Sequence, residues 1–267
     1  MRSPESPYNK SEYERVSDKE VLLDLYSIAI KQNTADNYPN FKERLFLDKK
    51  PLNNNGLVSF NNNGTWHAGQ LYPTHTEKYS DVLKNYGYPK FCELDADYRP
   101  LHPFWKEMVL NLDIGGVIGK GFFYHWGANY TADTAVFARN HNQESFILLI
   151  QRADTGQWAL PGGFINLDES PNAAALRELE EETSLDYSNI TSQPNLIYEG
   201  PVLDIRTTLH AWIETSLWSI QLEMTDLPKI QAKDDAKNAR WYKLNEIPKN
   251  LYGSHPFLIH KAITSHS

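Results

Sequence analysis

The sequence predicts a mixed α/β sandwich. Strand-like runs lie on both sides of one segment built almost wholly of strong helix formers, "NAAALRELEEET". On the N-terminal side, "TAVFARN" and "SFILLIQR" are separated by the polar turn "HNQE". On the C-terminal side come "NLIYEG", "AWIETSLWSIQL" and "ARWYKL". The chain has 267 residues, 40% of them hydrophobic, enough for one good core or one core plus a smaller lobe.

In chain order, residues 1–16 are polar. Ser17, Asp18, Lys19 and Glu20 read as a capping box that opens a helix over about 18–31. Residues 33–75 are rich in Asn, Pro and Gly, which is turn chemistry with room for short strands. "TEKYSDVLKNYG" reads as another short helix. The texture changes near Asp113. The expected division is therefore a smaller, irregular α+β N-terminal region, 1–110, and a main domain, 111–267. "HPFLIHKAIT" closes the chain as a helix that is apolar on one side. There are no internal repeats.

Net charge is −8 and no Lys/Arg run occurs, so the footprint of a general DNA or RNA binder is missing. A single cysteine, Cys92, excludes an internal disulfide framework and a cysteine-rich zinc site. "MRSPESPYNKSEYERVSDKE" has no apolar core and carries several acids, unlike a signal or transit peptide. No apolar run approaches the ~20 residues that span a bilayer. A cytoplasmic protein with no membrane or nucleic-acid partner is expected. The first 97 residues leave three roles open: a dimer arm, a lid or a partner-binding lobe. A homodimer is compatible with the first.

The stretch Trp158–Thr183 sets six carboxylates around one arginine. Ser170 is a natural N-cap and Pro171 suits the first helical position. At about 100° per residue, Glu178, Glu181 and Glu182 share one helix face, whereas Glu180 points away. Leu176 and Leu179 can pack inward. Like charges this close repel, and three carboxylates within about one turn form the hard oxygen set that Mg²⁺ or Mn²⁺ prefers. A solvated acidic face is the competing explanation, but it leaves the loop "PGGFINLDE" unexplained. That loop offers two glycines, for a tight turn or a close approach, and Glu169. Arg177 can hold one carboxylate as a bidentate pair.

This segment resembles the Nudix hydrolase signature, Gx5Ex7REUxEExGU with U apolar. Gly163, Glu169, Arg177, Glu178, Leu179, Glu181, Glu182 and Leu185 fall on its positions. Ser184 departs, standing where the family has Gly; that costs little unless the position needs φ > 0. The resemblance implies the Nudix α/β/α sandwich with a mixed sheet. It implies Glu178, Glu181 and Glu182 as metal ligands, with Gly162 beside them. It implies Arg177 as the group that orients the glutamates, and Glu169 as support for the loop or a second metal. The reaction implied is hydrolysis of a nucleoside diphosphate linked to another moiety. Bound cations neutralise phosphate oxygens, lower the pKa of water and align its attack. Glu181 or Glu182 can take the water's proton, and a base on a loop outside the signature stays open.

The flanking segments are similar to the animal, mitochondrial-type ADP-ribose pyrophosphatases, a family that also supplies the cytosolic domain of an ADP-ribose-gated cation channel. The likeness runs at intervals over about residues 98–260. Before the first core strand it rests on Gly119, Gly121, Trp126, Gly127, Asn129, Ala132 and Asp133, then on Arg152, Gly156, Trp158 and Pro161. After the signature it rests on Tyr198, Gly200, Asp204, Arg206, Thr208, Trp212 and Glu214, then Asp234, Asp235 and Trp241, then Tyr252, Ser254 and His255. Leu209 and His210 replace an expected polar pair. "GGVIGKG" lacks dinucleotide-loop spacing, so a Rossmann reading is rejected.

Substrate contacts are accordingly expected from Trp126, Asn129, Asp133, Arg152, Asp204, Arg206, Asp234, Asp235 and His255. Arg206 can fork onto a phosphate, or form a surface ion pair. Asp204, Asp234 or Asp235 can accept ribose hydroxyls. Trp126, Trp158 or Trp212 can stack on adenine, with core packing as the alternative. His255 offers a base, a phosphate contact or a helix start. The reading that follows is an Mg²⁺-dependent (or Mn²⁺-dependent) ADP-ribose pyrophosphatase. NADH, a nucleotide sugar, coenzyme A or capped RNA are alternative substrates, and a non-catalytic ADP-ribose sensor is the alternative from another class. The intact Arg-Glu-Leu-x-Glu-Glu core favours catalysis.

Overall fold

The hairpin that starts the sheet shows how local chemistry sets the register. Asn140 folds its side chain back to accept from the N–H groups of Asn142 and Glu144 and donates to the Glu144 carboxylate. Gln143 takes φ 63° to complete the turn. The flanking strands then pair Arg139 with Ser145 and Phe137 with Ile147. In the computed structural model of the chain, residues 18–32, 58–59, 100–110, 117–118, 123, 127–166, 169–186, 193–203, 206–222 and 227–265 are described.

The elements run α1 Asp18–Gln32, β1 Val58–Ser59, α2 Trp105–Leu110, β2 Val117–Ile118, β3 Gly127–Arg139, β4 Ser145–Arg152, β5 Trp158–Ala159, β6 Gly162–Phe164, α3 Pro171–Thr183, β7 Asn195–Val202, β8 Ala211–Leu222, β9 Ala236–Lys243 and α4 His255–Ser265. The large sheet has the order β5-β4-β3-β8-β7, with β6 paired to β3 and β9 paired to β4. Strands β1 and β2 form a separate parallel pair. Five consecutive buried residues, Phe146 to Ile150, show that β4 is covered on both faces. This is the α/β class the sequence predicts.

The chain divides into two compact units. One comprises Met1–Val21, Tyr130–Gly200 and Thr215–Ser267, and the other Leu22–Asn129 and Pro201–Glu214. The first holds the acidic helix. Leu179 and Leu185 pack there on Val136, Ala138, Leu148, Ile220 and Leu222, with Leu176 and Trp241 at the edge. In the second, the Tyr26 hydroxyl donates to the carbonyl of Thr207, and the ring of His102 lies edge-on to Phe104 and Trp212.

Most expected elements stand where the sequence puts them. One does not. Strand β3 starts at Gly127, seven residues before Thr134, so "GANYTAD" belongs to the first core strand instead of preceding it. Asn129, Thr131 and Asp133 are buried in that extension, and their polarity disguises an interior strand as a loop. Ser17, Cys92 and the expected helix "TEKYSDVLKNYG" lie outside the described residues.

Candidate active site

Helix α3 begins as its sequence dictates. Ser170, in extended conformation, accepts from the N–H of Ala173, and Pro171 occupies the first turn. The helix buries Ala174, Ala175 and Leu179 against the sheet and exposes Glu180. Its acidic face is graded: Glu182 is 3% exposed, whereas the Glu181 side chain is 46% exposed.

Strand β6 brings the loop to this face. Register pairs Gly162 with Asp133 and Gly163 with Ala132. Both glycines are needed for close approach. A Cβ at Gly162 would lie 2.5 Å from Asp133 Oδ1 and 2.6 Å from the Ala132 carbonyl oxygen. One at Gly163 would lie 2.5 Å from Glu178 Oε1. The approaching groups are backbone and the Asp133 carboxylate at Gly162 and the Glu178 carboxylate at Gly163, and neither glycine has the positive φ of a tight turn. The Gly162 N–H donates to Glu182 Oε2 at 2.9 Å.

Arg177 holds three carboxylates. It donates to Glu169 through Nε at 2.8 Å and Nη2 at 2.9 Å, and through Nη1 to Glu178 at 2.7 Å and Glu181 at 2.8 Å. A further bond reaches the Phe164 carbonyl. The expected single bidentate pair is thus the centre of a larger clamp. Hydrogen bonds from Arg177 hold Glu169 below the usual carboxylate range. Burial raises Glu178 in spite of Arg177. Burial, followed by the neighbouring Asp235 carboxylate, pushes Glu182 up to about 9.

Asp235 reaches Glu182 because residues 231–235 lie along the end of α3. Gln231 and Lys233 donate to the carbonyls of Thr183 and Glu182. Asp234 takes φ 53° and is exposed in that turn. Ser184 ends the helix in the left-handed region, φ 55°, ψ 21°. The position therefore does need φ > 0, and the departure from Gly is not free. The Ser184 hydroxyl offsets part of the strain by donating to the Gln231 carbonyl at 3.0 Å.

Asp133 is 9% exposed and accepts from the Thr215 hydroxyl through Oδ2. Burial pushes its carboxyl up to about 6. Arg152 pairs with Asp154 through two donors, at 3.0 and 2.8 Å, and lies 4.4 Å from the Tyr252 ring centre. His255 starts α4 and accepts the Leu160 N–H on Nδ1 at 3.1 Å. It thereby braces the segment that leads to Gly162. Glu178, Glu182, Glu169, Arg177, Asp133 and Asp235 are thus gathered around β6 and α3.

Asn129, 1% exposed, donates to the carbonyls of Gly127 and Trp212. Arg206 lies 5.5 Å from the Phe123 ring centre. Leu209 and His210 are fully buried. Trp158 packs edge-on to Tyr242 at 5.0 Å, and Trp212, 1% exposed, donates to Glu214. Both are core residues here. Trp126 and Asp204 lie outside the described residues. Sequence reasoning missed Thr215, the partner of Asp133, and singled out Tyr252 without pairing it with Arg152. The available signal was a polar Thr215 inside the apolar run of β8.

The oxygens of Glu178, Glu181 and Glu182 suit a hard divalent cation. Among the described residues no three carboxylates form a ready ligand cage, and Arg177 occupies oxygens of Glu178 and Glu181. A cation at these oxygens would have to compete with Arg177 for them. No described helix is long and apolar enough to cross a membrane.

A profile of the NUDIX domain matches residues 129–261. The protein named "Putative nudix hydrolase 6" from Caenorhabditis elegans is 34% identical over 187 residues, covering 66% of this chain and 68% of its own. The "ADP-ribose pyrophosphatase, mitochondrial" of Rattus norvegicus is 31% identical over 171 residues, 52% of this chain and 49% of its own. A "Transient receptor potential cation channel subfamily M member-like 2" of Nematostella vectensis is 29% identical over 193 residues, 62% of this chain but 12% of its own. The chain thus spans about half of the rat enzyme and a small part of the channel. With the signature glutamates, their arginine clamp and the glycine strand in place, the chain belongs to the Nudix family of hydrolases.

Proposed function

We propose that the chain hydrolyses ADP-ribose to AMP and ribose 5-phosphate, with Mg²⁺ or Mn²⁺ bound at Glu178, Glu181, Glu182 and the Gly162 carbonyl. The observation that carries the substrate is the set of flanking motifs shared with ADP-ribose pyrophosphatases, supported by the 31% identity to the rat enzyme of that name. Its coverage exceeds the signature several-fold.

Water adds to one phosphorus, the bridging P–O bond breaks, and each product keeps one phosphate. When bound, divalent cations neutralise the diphosphate oxygens and activate the water. The chain's residues prepare the rest. Arg177 aligns Glu178 and Glu181. Gly162 aligns Glu182 through its N–H. Glu181, the most exposed of the three, is placed to take the water's proton, and Glu182 is the alternative base. Arg152, Asp133 and Asp235 line the substrate side, and His255 holds the loop.

The test compares kcat/KM for ADP-ribose, NADH, coenzyme A and a nucleotide sugar with Mg²⁺. ADP-ribose is expected to be turned over fastest. Faster turnover of another compound overturns the substrate. A melting temperature raised by ADP-ribose without turnover establishes the sensor reading instead, the one the channel relative motivates.

A further inference from the structure

Helix α3 is held to the sheet from two sides. On its acidic side, Arg177 donates to the Phe164 carbonyl and the Gly162 N–H donates to Glu182. On its buried side lies β3. Successive strand residues face opposite ways, so Ala132, Thr134, Val136 and Ala138 face the helix together. Ala132 packs with Ala174 and Ala175, and Val136 and Ala138 pack with Leu179. Thr134 is the polar residue of this stripe and is 0% exposed. Its hydroxyl donates to the Ala175 carbonyl at 3.0 Å. Its N–H donates at 2.8 Å to the carbonyl of Pro161, the residue before Gly162. Thr134 thus bonds both the helix and the loop strand of the signature.

The hydroxyl adds little to stability. Removing one partner of a buried hydrogen bond is costly when the other is left bare. A carbonyl inside an α-helix already accepts the N–H four residues on, so Ala175 stays paired without Thr134. What the bond supplies is direction. The methyl groups of Ala132, Ala174 and Ala175 allow close approach but present no ridge that fixes where the helix stands along the strand. A hydrogen bond weakens steeply away from its preferred distance and angle. Glu178 and Glu182 follow Ala175 by three and seven residues, which puts them on its side of the helix at about 100° per residue. A slide of α3 along β3 therefore carries both carboxylates past Gly162 and Gly163 together.

We infer that Thr134 is a positioning residue for the hydrolysis: its hydroxyl fixes where α3 stands along β3 and so sets Glu178 and Glu182 against β6. The inference rests on the metal site of the preceding reading but not on its substrate.

The experiment compares Thr134→Val, which keeps the shape and removes the hydroxyl, with Thr134→Ser, which keeps the hydroxyl and removes a methyl. For each, the Mn²⁺ affinity of the full chain without nucleotide is read by calorimetry, together with kcat for ADP-ribose and the melting temperature. Thr134→Val is expected to melt within about 3 °C of wild type. It is expected to bind Mn²⁺ about tenfold more weakly, with kcat lowered by a similar factor. Thr134→Ser is expected to melt lower, from the cavity left by the methyl, and to keep affinity and kcat near wild type. Affinity and kcat that rank the variants in the order of their melting temperatures overturn the inference, because a purely structural residue behaves so. Wild-type affinity and kcat in Thr134→Val overturn it too. Should Thr134→Val fail to fold, Thr134→Ser against Thr134→Ala isolates the hydroxyl, and equal affinity and kcat in that pair is the contradicting result. Glu182→Gln separates the inference from the reading beneath it. Unchanged Mn²⁺ binding in that variant sinks the signature metal site and this inference with it. Weakened binding there, beside wild-type behaviour in Thr134→Val, sinks the role of Thr134 alone.

Discussion

Arg177 donates to both carboxylate oxygens of Glu169, eight residues earlier, at 2.8 and 2.9 Å. This fork ties the loop after β6 to helix α3 and leaves Nη1 for Glu178 and Glu181. A lysine carries the same charge but cannot make parallel bonds. Arg177→Lys is expected to lower kcat about 10–100-fold, the usual cost of removing a group that orients metal ligands. The pair is partly exposed, so the melting temperature should move little. A large loss of stability with normal kcat would contradict the orienting role.

The two glycines of β6 should separate experimentally. A Cβ at Gly162 meets backbone, the Ala132 carbonyl oxygen and Asp133 Cα, which cannot swing away. Gly162→Ala is expected to cost about 1–3 kcal/mol in denaturant unfolding. The three atoms nearest a Cβ at Gly163 are all in the carboxyl group of Glu178, a side-chain end that can shift if it gives up its bond to Arg177. Gly163→Ala should fold nearly as wild type and lose activity. Equal stability loss in both variants would remove this account of the pair.

Glu182 gives the metal-free protein a pH signature. Its folded value, about 9, stands above the ordinary 4.5, so the folded state keeps a proton that the unfolded chain releases. That contribution to stability is complete below pH 4.5 and is lost as pH rises toward 9. In the presence of a chelator, the melting temperature of wild type should fall between pH 5 and pH 9 by more than that of Glu182→Gln. Added Mg²⁺ should restore most at the alkaline end. Parallel curves for the two proteins would show that Glu182 is not held neutral.

Ser184 tests the helix end. Both Ser and Ala are strained at φ 55°, and Gly is not. Ser184→Gly should be more stable than Ser184→Ala by about 1 kcal/mol in chemical unfolding, with wild type between them because of its bond to Gln231. An Ala variant as stable as the Gly variant would mean that the cap relaxes.

The sequence was most legible where period and chemistry agree. Helix α3 could be read from Ser170 to Thr183, with Glu180 outward and Leu179 inward, because caps, propensity and face all gave one answer. Strands β5 and β6 escaped notice, since two or three residues are too short to show alternation. The start of β3 was hidden by Asn129, Thr131 and Asp133, polar residues inside a buried strand. The clamp was underestimated because its third and fourth partners, Glu181 and the Phe164 carbonyl, depend on how loop and helix meet. Trp158 and Trp212 illustrate the reverse case. Their aromatic chemistry suits a base-stacking role, but their burial makes them core.

The central claim is that these glutamates hydrolyse a nucleotide diphosphate bond with a divalent cation. Its most direct test is the initial rate of AMP release from ADP-ribose across a Mg²⁺ titration, in wild type and Glu182→Gln. The account predicts AMP and ribose 5-phosphate in equal amounts, no release without the cation, and loss of release in the variant. AMP formed at the same rate in Glu182→Gln, or formed in the presence of excess chelator, would contradict it.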